Sequence, residues 1–325
     1  MVERIATDTS LIAPMEFVSL HHHTTHSYGD GFKSVDEHVA RAVELGMWAM
    51  AVTEHGNVSS HVQLEIAARK HGIHPIYGCE FYVTETKSLK KFHQTVLAMD
   101  QEGYRNLNRL VSRSYREGFY KWPTVHTEWL LDPIATKGLI VLSGCADSWL
   151  SCSILGGKSY GDRKSDWEQE DIQKGRRLVE RFQSVYGDRF YLEMQRFPGL
   201  ERSTILNQAF ADISSATGCQ TVATADVHYP LPEHNAMQRI LHAATRHGTD
   251  TVEAADDGWE YDILLTHPQS DKDVYRALRE QDLTKDEAID AVLTSSDIAR
   301  RCNVELPKSS RIRYPIADKD LEAWI

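Results

Sequence analysis

The stretch Val18-Ser19-Leu20-His21-His22-His23-Thr24-Thr25-His26-Ser27 packs four histidines into six positions near the start of the chain. Imidazole is the commonest protein ligand for a metal ion. In an extended strand, residues i and i+2 point to the same face, so His21 and His23 can share one ion while His22 points away. Asp226 and His228 repeat that spacing. Between the two pairs lie Glu54-His55, Cys79-Glu80 and Cys145. Histidine, carboxylate and thiolate together are a donor set for Zn²⁺, Mn²⁺ or Fe²⁺. Each residue also has a plainer reading. A histidine run can be a purification tag, although Thr24 and Thr25 interrupt this one and an apolar segment precedes it. Glu80 can be a loop carboxylate, Cys145 a small buried hydrophobe, and Asp226 a helix cap. Position in the fold has to separate the readings.

The elements that would position these residues alternate. Ser34 and Glu37 form a capping box ahead of a helical run to Leu45, with Gly46 suited to the position after its end. Helices follow at 60–71, 103–116, 171–186 and 202–217. Apolar strands fall at 17–20, 48–53, 73–77, 95–99, 138–142, 190–194 and 220–225. Seven strands mostly separated by helices predict a parallel sheet with helices outside it, either closed into a barrel or open. The chain from Glu233 onward is mainly helical, with one further strand possible at Tyr261–Leu265. In such folds, chemistry gathers at the C-terminal ends of the strands. That is where His21-His22-His23, Glu54-His55, Cys79-Glu80, Cys145 and Asp226-Val227-His228 fall. Delivery of ligand-type residues by five separate strands favours the metal reading over the plainer ones.

The chain has 325 residues and is 41% hydrophobic, which suits one large α/β domain. It has no apolar run long enough to cross a bilayer, and its first residues lack the pattern of a signal peptide. Five scattered cysteines with no CxxC pair argue against a disulfide framework and for a reducing, cytoplasmic setting. The net charge of −11 argues against broad electrostatic binding of nucleic acid. Bound divalent cations could reverse the sign locally.

The motifs FVSLHHHTTHSYGDG, AVTEHGN, YGCEFYV, FHQTVLAMDQEGYRNL, EGFYKWP, IVLSGC and ATADVHYP, in this order, closely resemble the PHP (polymerase and histidinol phosphatase) domain. The nearest version is the one at the N-terminus of bacterial DNA polymerase III α subunits. The tail AVLTSSDIARRCNVEL resembles the helix that closes that domain. The resemblance implies a distorted seven-stranded (β/α)7 barrel with a mainly helical C-terminal extension. The expected organisation is an N-terminal extension over 1–16 and the PHP domain over 17–306. Within the domain, the barrel covers about 17–232 and the helical closing part about 233–306. A tail at 307–325 leads toward a polymerase module absent from this sequence.

The resemblance also implies nine metal ligands: His21, His23, Asp30, His55, Glu80, His93, Cys145, Asp226 and His228. They would hold two to three divalent ions (Zn, Mn or Fe, with Mg an option). His21, His23, Glu80 and Asp226 group around one ion. Glu80 bridges to a second ion with His93 and Cys145, and Asp30, His55 and His228 hold a third. Asp30 and His93 rest on the resemblance alone. One departure is Glu54, where the family usually has aspartate, and it bears on hydrogen bonding around His55. His22 and His26 are expected to be supporting or solvent-exposed.

Against three divalent ions, Asp30, Glu80, Asp226 and a Cys145 thiolate leave roughly two positive charges in surplus, which suits a phosphate ester. Phosphodiester hydrolysis is therefore expected, with His21, His23, Glu80, Asp226 and His228 as the catalytic set. The resemblance points to 3′→5′ exonuclease proofreading of a primer 3′ end, with other polymerase modules or replisome proteins as partners and no membrane. Two alternatives stand beside it. One is a free-standing phosphatase on a small monoester such as histidinol phosphate, and the other is a structural metal-binding module. Polymerisation by this chain alone is not expected. Lys90 and Lys91 before His93, and Arg105, Arg109, Arg113 and Arg116 on the next helix, stand near Tyr115, Phe119, Tyr120 and Trp122. Cations mixed with aromatics suit single-stranded DNA. An ordinary amphipathic helix with its arginines in water is the competing reading.

Overall fold

In the computed structural model, residues 17–85, 91–155, 172–247 and 263–307 are described. The strands are β1 (Ala49–Val52), β2 (His74–Thr84), β3 (Phe92–Ala98), β4 (Phe119–Tyr120), β5 (Trp122–His126), β6 (Leu139–Leu142), β7 (Phe190–Gln195) and β8 (Thr221–Thr224). Helices α1 (Val35–Glu44), α2 (His61–His71), α3 (Gln101–Arg116), α4 (Thr127–Leu130), α5 (Trp149–Ile154), α6 (Ile172–Tyr186) and α7 (Glu201–Thr217) lie between them. After β8 come α8 (Asn235–His247), α9 (Asp271–Glu280) and α10 (Lys285–Arg301). The capping box at Ser34 and Glu37 is present.

The sheet runs β1-β2-β3-β6-β7-β8 and curls. The extended segment 17–23 joins its two ends, bridging Met50 through Ser19 and Val227 through His22. The seven expected strands are thus the seven members of a distorted ring. The direction of one of them departs from expectation. β3 is antiparallel to both β2 and β6, so the sheet is mixed rather than parallel. No helix separates β2 from β3 in sequence among the described residues, and a strand without a crossover helix returns antiparallel. The sequence reading also ended the third strand at Tyr77, whereas β2 continues to Thr84. Its second half pairs with β5, which β4 joins through a tight turn at Lys121, a pair the sequence reading did not separate. Of the strand expected at Tyr261–Leu265, 261–262 lie outside the described residues and 263–265 are not strand; a single bridge joins Thr266 to Tyr229.

Alternation along the strands sorts side chains into two apolar layers. Val18, Leu20, Ala49, Ala51, Ile76, Leu97, Ile140, Leu142, Tyr191 and Val222 face into the ring. Their neighbours Met50, Val52, Tyr77, Val96, Leu139, Val141 and Leu192 face the surrounding helices. One end of the ring is plugged by α10, whose Ile298 and Ala299, with Cys302, join the inner layer. Asn303 N–H donates to Met99 O at 2.7 Å, and Ser295 Oγ accepts from Val18 N–H at 3.0 Å. Going up each strand from that plug, the inward residues change from apolar to polar: Ile76 to Glu80, Leu97 to Thr95 and His93, Tyr191 to Glu193, Val222 to Thr224. The other end of the ring is therefore the polar one. No helix among the described residues is long and apolar enough to cross a membrane.

His61, in the first turn of α2, is buried and donates from Nε2 to Gly78 O at 2.9 Å. Burial pulls its pKa down to about 4, against about 6.5 for an unfolded histidine. As pH falls, the unfolded chain takes up this proton first. The stability is present above pH ~6.5 and is lost as pH falls toward 4, by an amount on the order of 3 kcal/mol. In urea unfolding with chelator present, His61→Gln should lose about 2–3 kcal/mol less than the parent between pH 7 and pH 4.5. An equal loss in both proteins would refute the assignment.

Candidate metal centre

The polar rim collects all nine of the expected ligand positions. Two features of the backbone bring them there. The first is a register slip in segment 17–23. Ala51 N–H bonds Ser19 O and Thr53 N–H bonds His22 O, so three residues of the segment span two of β1. This is a β-bulge, which re-aims side chains. Below it, Val18 and Leu20 face inward; above it, His21 and His23 do, and His22 faces outward toward α1. The second feature is the reversed direction of β3, which puts its first residues, and so His93, at the rim where the parallel strands end.

Donor separations match a cage around cations. His21 Nε2 is 3.2 Å from Glu80 Oε1 and 3.4 Å from Asp226 Oδ1. His23 Nε2 is 3.4 Å from Glu80 Oε2 and 3.6 Å from Asp226 Oδ1. Tetrahedral Zn²⁺ with ligand bonds of about 2.0–2.1 Å needs donors about 3.3 Å apart. His93 Nδ1 stands 3.3 Å from Glu80 Oε1 and 3.5 Å from Cys145 Sγ. Asp30 Oδ2 stands 3.0 Å from His55 Nε2 and 3.5 Å from His228 Nε2. His55 also turns its Nδ1 to Glu80 Oε2 at 2.7 Å, so it faces both the Asp30 group and the Glu80 group.

Buried polar atoms without a hydrogen-bond partner test the fit. Among the described residues they include His21 Nε2, His23 Nε2, His55 Nδ1, both Glu80 carboxylate oxygens and Asp226 Oδ1. Orphaned buried groups are costly, and these point at one another. Divalent cations between them satisfy the whole set, so the residues present fit the group that the resemblance implies. Cys145 lies beside His93, and Asp226 is far ahead of α8 and caps nothing. Asp226 holds the left-handed backbone conformation at φ 43°, which glycine favours. Glu80 is 1% exposed and is not a solvated loop carboxylate. The site opens where His93 and Asp30 keep side-chain exposures of 25% and 22%.

The opposite edges of the ligands are anchored. His21 Nδ1 contacts Glu193 Oε1 at 2.6 Å, His23 Nδ1 contacts Ser27 Oγ at 2.8 Å, and His228 Nδ1 contacts Asp226 O at 2.9 Å. Anchoring one ring nitrogen leaves Nε2 as the ligand atom and fixes the ring. Glu193 is fully buried and also accepts from Thr95 and Thr224. The sequence reading missed it, although a lone carboxylate in the apolar strand Phe190–Met194 was a visible signal. Gln195 donates to Asp226 Oδ2 and Gln238 to Asp30 Oδ1. Glu54 accepts from Thr24 and Ser27, so its effect passes through Ser27 to His23 as well as to the backbone of His55. Gly31 lets the Asp30 loop close, since a Cβ there would lie 2.0 Å from Thr24 O.

Charge follows the same layout. Burial disfavours a proton on His21, yet Asp226, Glu193 and Glu80 around it hold its pKa well above the ordinary value. Burial, with His55 and His228 beside it, pushes His23 well below. Burial opposes ionisation of Glu80, and His93, His21 and His55 outweigh it and hold the carboxyl well below its usual range. Burial pushes the Cys145 thiol up, with Glu80 adding to the effect.

The basic residues are not all gathered. Lys90 lies outside the described residues. Lys91 is at the rim, its Nζ 4.0 Å from the centroid of the Trp122 ring and 5.2 Å from that of Tyr82, and Tyr82 stacks on His55 at 5.8 Å. Trp122 is exposed there, as are Phe119 and Tyr120 on the adjoining β4 and Tyr115, which stacks on Phe119. Arg105 and Arg109 are on the exposed face of α3, within its first nine residues counted from the plugged end of the ring, and the rim does not include them. His26 contacts Ser59. His22, expected near the site or in solvent, is fully buried behind it.

A curled α/β barrel with a histidine and carboxylate cage at one rim defines a class of metal-centred barrel. The chain belongs to the PHP family: residues 19–197 match the PHP domain. Relatives include DNA polymerase III subunit alpha of Thermus aquaticus, 30% identical over 93% of this chain and 24% of the relative. The corresponding subunit of Helicobacter pylori strain J99 is 30% identical over 69% of this chain and 18% of its own length. That of Treponema pallidum is 32% identical over 71% and 19%. The chain thus spans about a quarter or less of the relatives it matches.

Glu193→Gln removes the anion behind His21 while keeping its size. Metal affinity at the rim should fall about 10- to 100-fold, read by competition with a chromophoric chelator. Unchanged affinity would show that His21 does not depend on Glu193.

Proposed function

We propose that this chain is a metal-dependent phosphodiesterase that acts at the 3′ end of DNA, as a 3′→5′ exonuclease domain of a replicative polymerase. The observation that carries the proposal is the orphaned donor cage, open on the side of His93 and Asp30 and flanked there by the Lys91, Tyr82 and Trp122 wall. His21, His23, Glu80 and Asp226 would hold one divalent ion, Glu80, His93 and Cys145 a second, and Asp30, His55 and His228 a third. When bound, such ions activate water and stabilise phosphoryl oxygens. The chain's own residues do the rest. Glu193, Ser27 and the Asp226 carbonyl fix the histidine rings, and Gln195 and Gln238 fix the two carboxylates at the opening. The buried inner layer below keeps the floor of the site dry. Lys91 and the exposed aromatics offer a cation and ring faces to an unpaired strand end. On a chain of net charge −11, attraction for a phosphodiester would be confined to this site. The similarity to polymerase III α subunits supports other polymerase modules as partners.

The test combines metal content with nuclease activity. The untagged chain is analysed for Zn, Mn and Fe, then given a 5′-labelled primer with a mismatched 3′ end. Two to three metals per chain and stepwise 3′ shortening are expected, with both reduced in the His23→Ala, Asp226→Asn double variant. Metal without DNA cleavage would overturn the exonuclease reading. In that case a panel of phosphate monoesters separates a small-molecule phosphatase from a structural module. Trp122→Ala should raise KM for single-stranded DNA about 10-fold with kcat within about twofold. An unchanged KM would remove Trp122 from the binding surface.

A further inference from the structure

Behind the barrel wall lies a second histidine cluster, which the rim chemistry does not use. His22 comes from segment 17–23, His38 from α1, and His267 from the stretch ahead of α9. All three are 0% exposed. One ring nitrogen from each lies within 4.8 Å of the others. The rings pack together, His22 on His38 at 4.5 Å and His22 on His267 at 4.8 Å between centroids.

The hydrogen bonds around the cluster leave lone pairs facing inward. His38 donates from Nε2 to Phe32 O at 2.9 Å, so its Nδ1 carries a lone pair. That Nδ1 is 2.7 Å from His22 Nε2, while His22 Nδ1 faces Ser19 Oγ at 3.5 Å. One proton between His22 and His38 would satisfy that pair. It would do nothing for His267, neither of whose ring nitrogens makes a hydrogen bond of good geometry among the described residues. The backbone of His38 lies near enough to act as an acceptor for it, without meeting that geometry. A fully buried imidazole without a well-formed hydrogen bond is costly. Burial also disfavours a proton on His38, pulled down to about 4, and on His267, and the unprotonated ring is the form that binds metals.

We propose that His22, His38 and His267 form a separate metal site that takes one imidazole-preferring divalent ion such as Zn²⁺. Three histidine nitrogens with a fourth position left for water is an established zinc geometry. Donor separations of about 3.3 Å would require the close His22–His38 pair to open by roughly half an ångström and the His267 nitrogen, within 4.8 Å of them, to close in. The ion would tie the stretch ahead of α9 to segment 17–23 and to α1. This site is independent of the phosphodiesterase reading.

The full chain, stripped with chelator, is titrated with Zn²⁺, and bound metal is counted. His267→Asn and His38→Asn should each bind one Zn²⁺ fewer than the parent, with rim occupancy unchanged. The same difference of one should persist in the His23→Ala, Asp226→Asn background, so failure of the rim reading and failure of this one are distinguishable. Zn²⁺ should raise Tm by several degrees more in the parent than in His267→Asn. Equal zinc counts in folded parent and variants would overturn the proposal. Should the variants fail to fold, anomalous diffraction at the zinc edge from the unmodified chain decides. A peak among the three rings supports the site, and an empty cluster beside an occupied rim overturns it.

Discussion

The constraint on which the structure turns is the burial of opposed, unneutralised donors at one end of the barrel. Glu80 is almost wholly enclosed, and five histidines face it or its neighbour Asp226 at 2.7 to 3.6 Å. In a low-dielectric interior such groups are costly unless paired or bound to metal. The fold spends much of its polar architecture on holding them in place. Glu193, Glu54, Ser27, Gln195 and Gln238 each contact a ligand's outer edge or the groups that do. The apolar inner layer and the plug of α10 occupy the other end of the same ring. The two ends divide the labour: one buries apolar area and the other accumulates polar strain.

That division follows from the strand pattern. Inward positions are apolar near α10 and polar near the rim, while most outward positions are apolar against the helices, His22 and Gln94 being exceptions. The parallel strands present their last residues at the rim and β3 presents its first. A site fed by strand ends therefore draws on both kinds of end. The bulge in segment 17–23 has a comparable effect. By adding one residue, it switches which histidines face inward and leaves His22 facing out into the cluster with His38 and His267.

Much of this was legible in the sequence. The seven apolar runs, the capping box at Ser34 and the ligand-type residues at the ends of runs are local patterns, and local patterns survive folding. His21, His23, His55, Glu80, Cys145, Asp226 and His228 could be located by strand-end reasoning. His93 and Asp30 needed the family resemblance, because one opens a reversed strand and the other is deep in a loop. Glu193 was passed over because its strand reads as apolar and a single carboxylate there looked incidental.

The sequence by itself determined which residue types recur at the two-residue period of a strand, and so which donors could share an ion. It also determined that seven strands alternate mostly with helices ahead of a helical tail, because hydrophobic periodicity and capping act over a few residues, while closure into a ring came from the family resemblance and the structure. Only the tertiary structure decided the direction of β3, the bulge that points His21 and His23 inward, the anchoring of His21 by Glu193, and the meeting of His22, His38 and His267. Those depend on hydrogen-bond register and packing between segments far apart in the chain, and no local pattern encodes them.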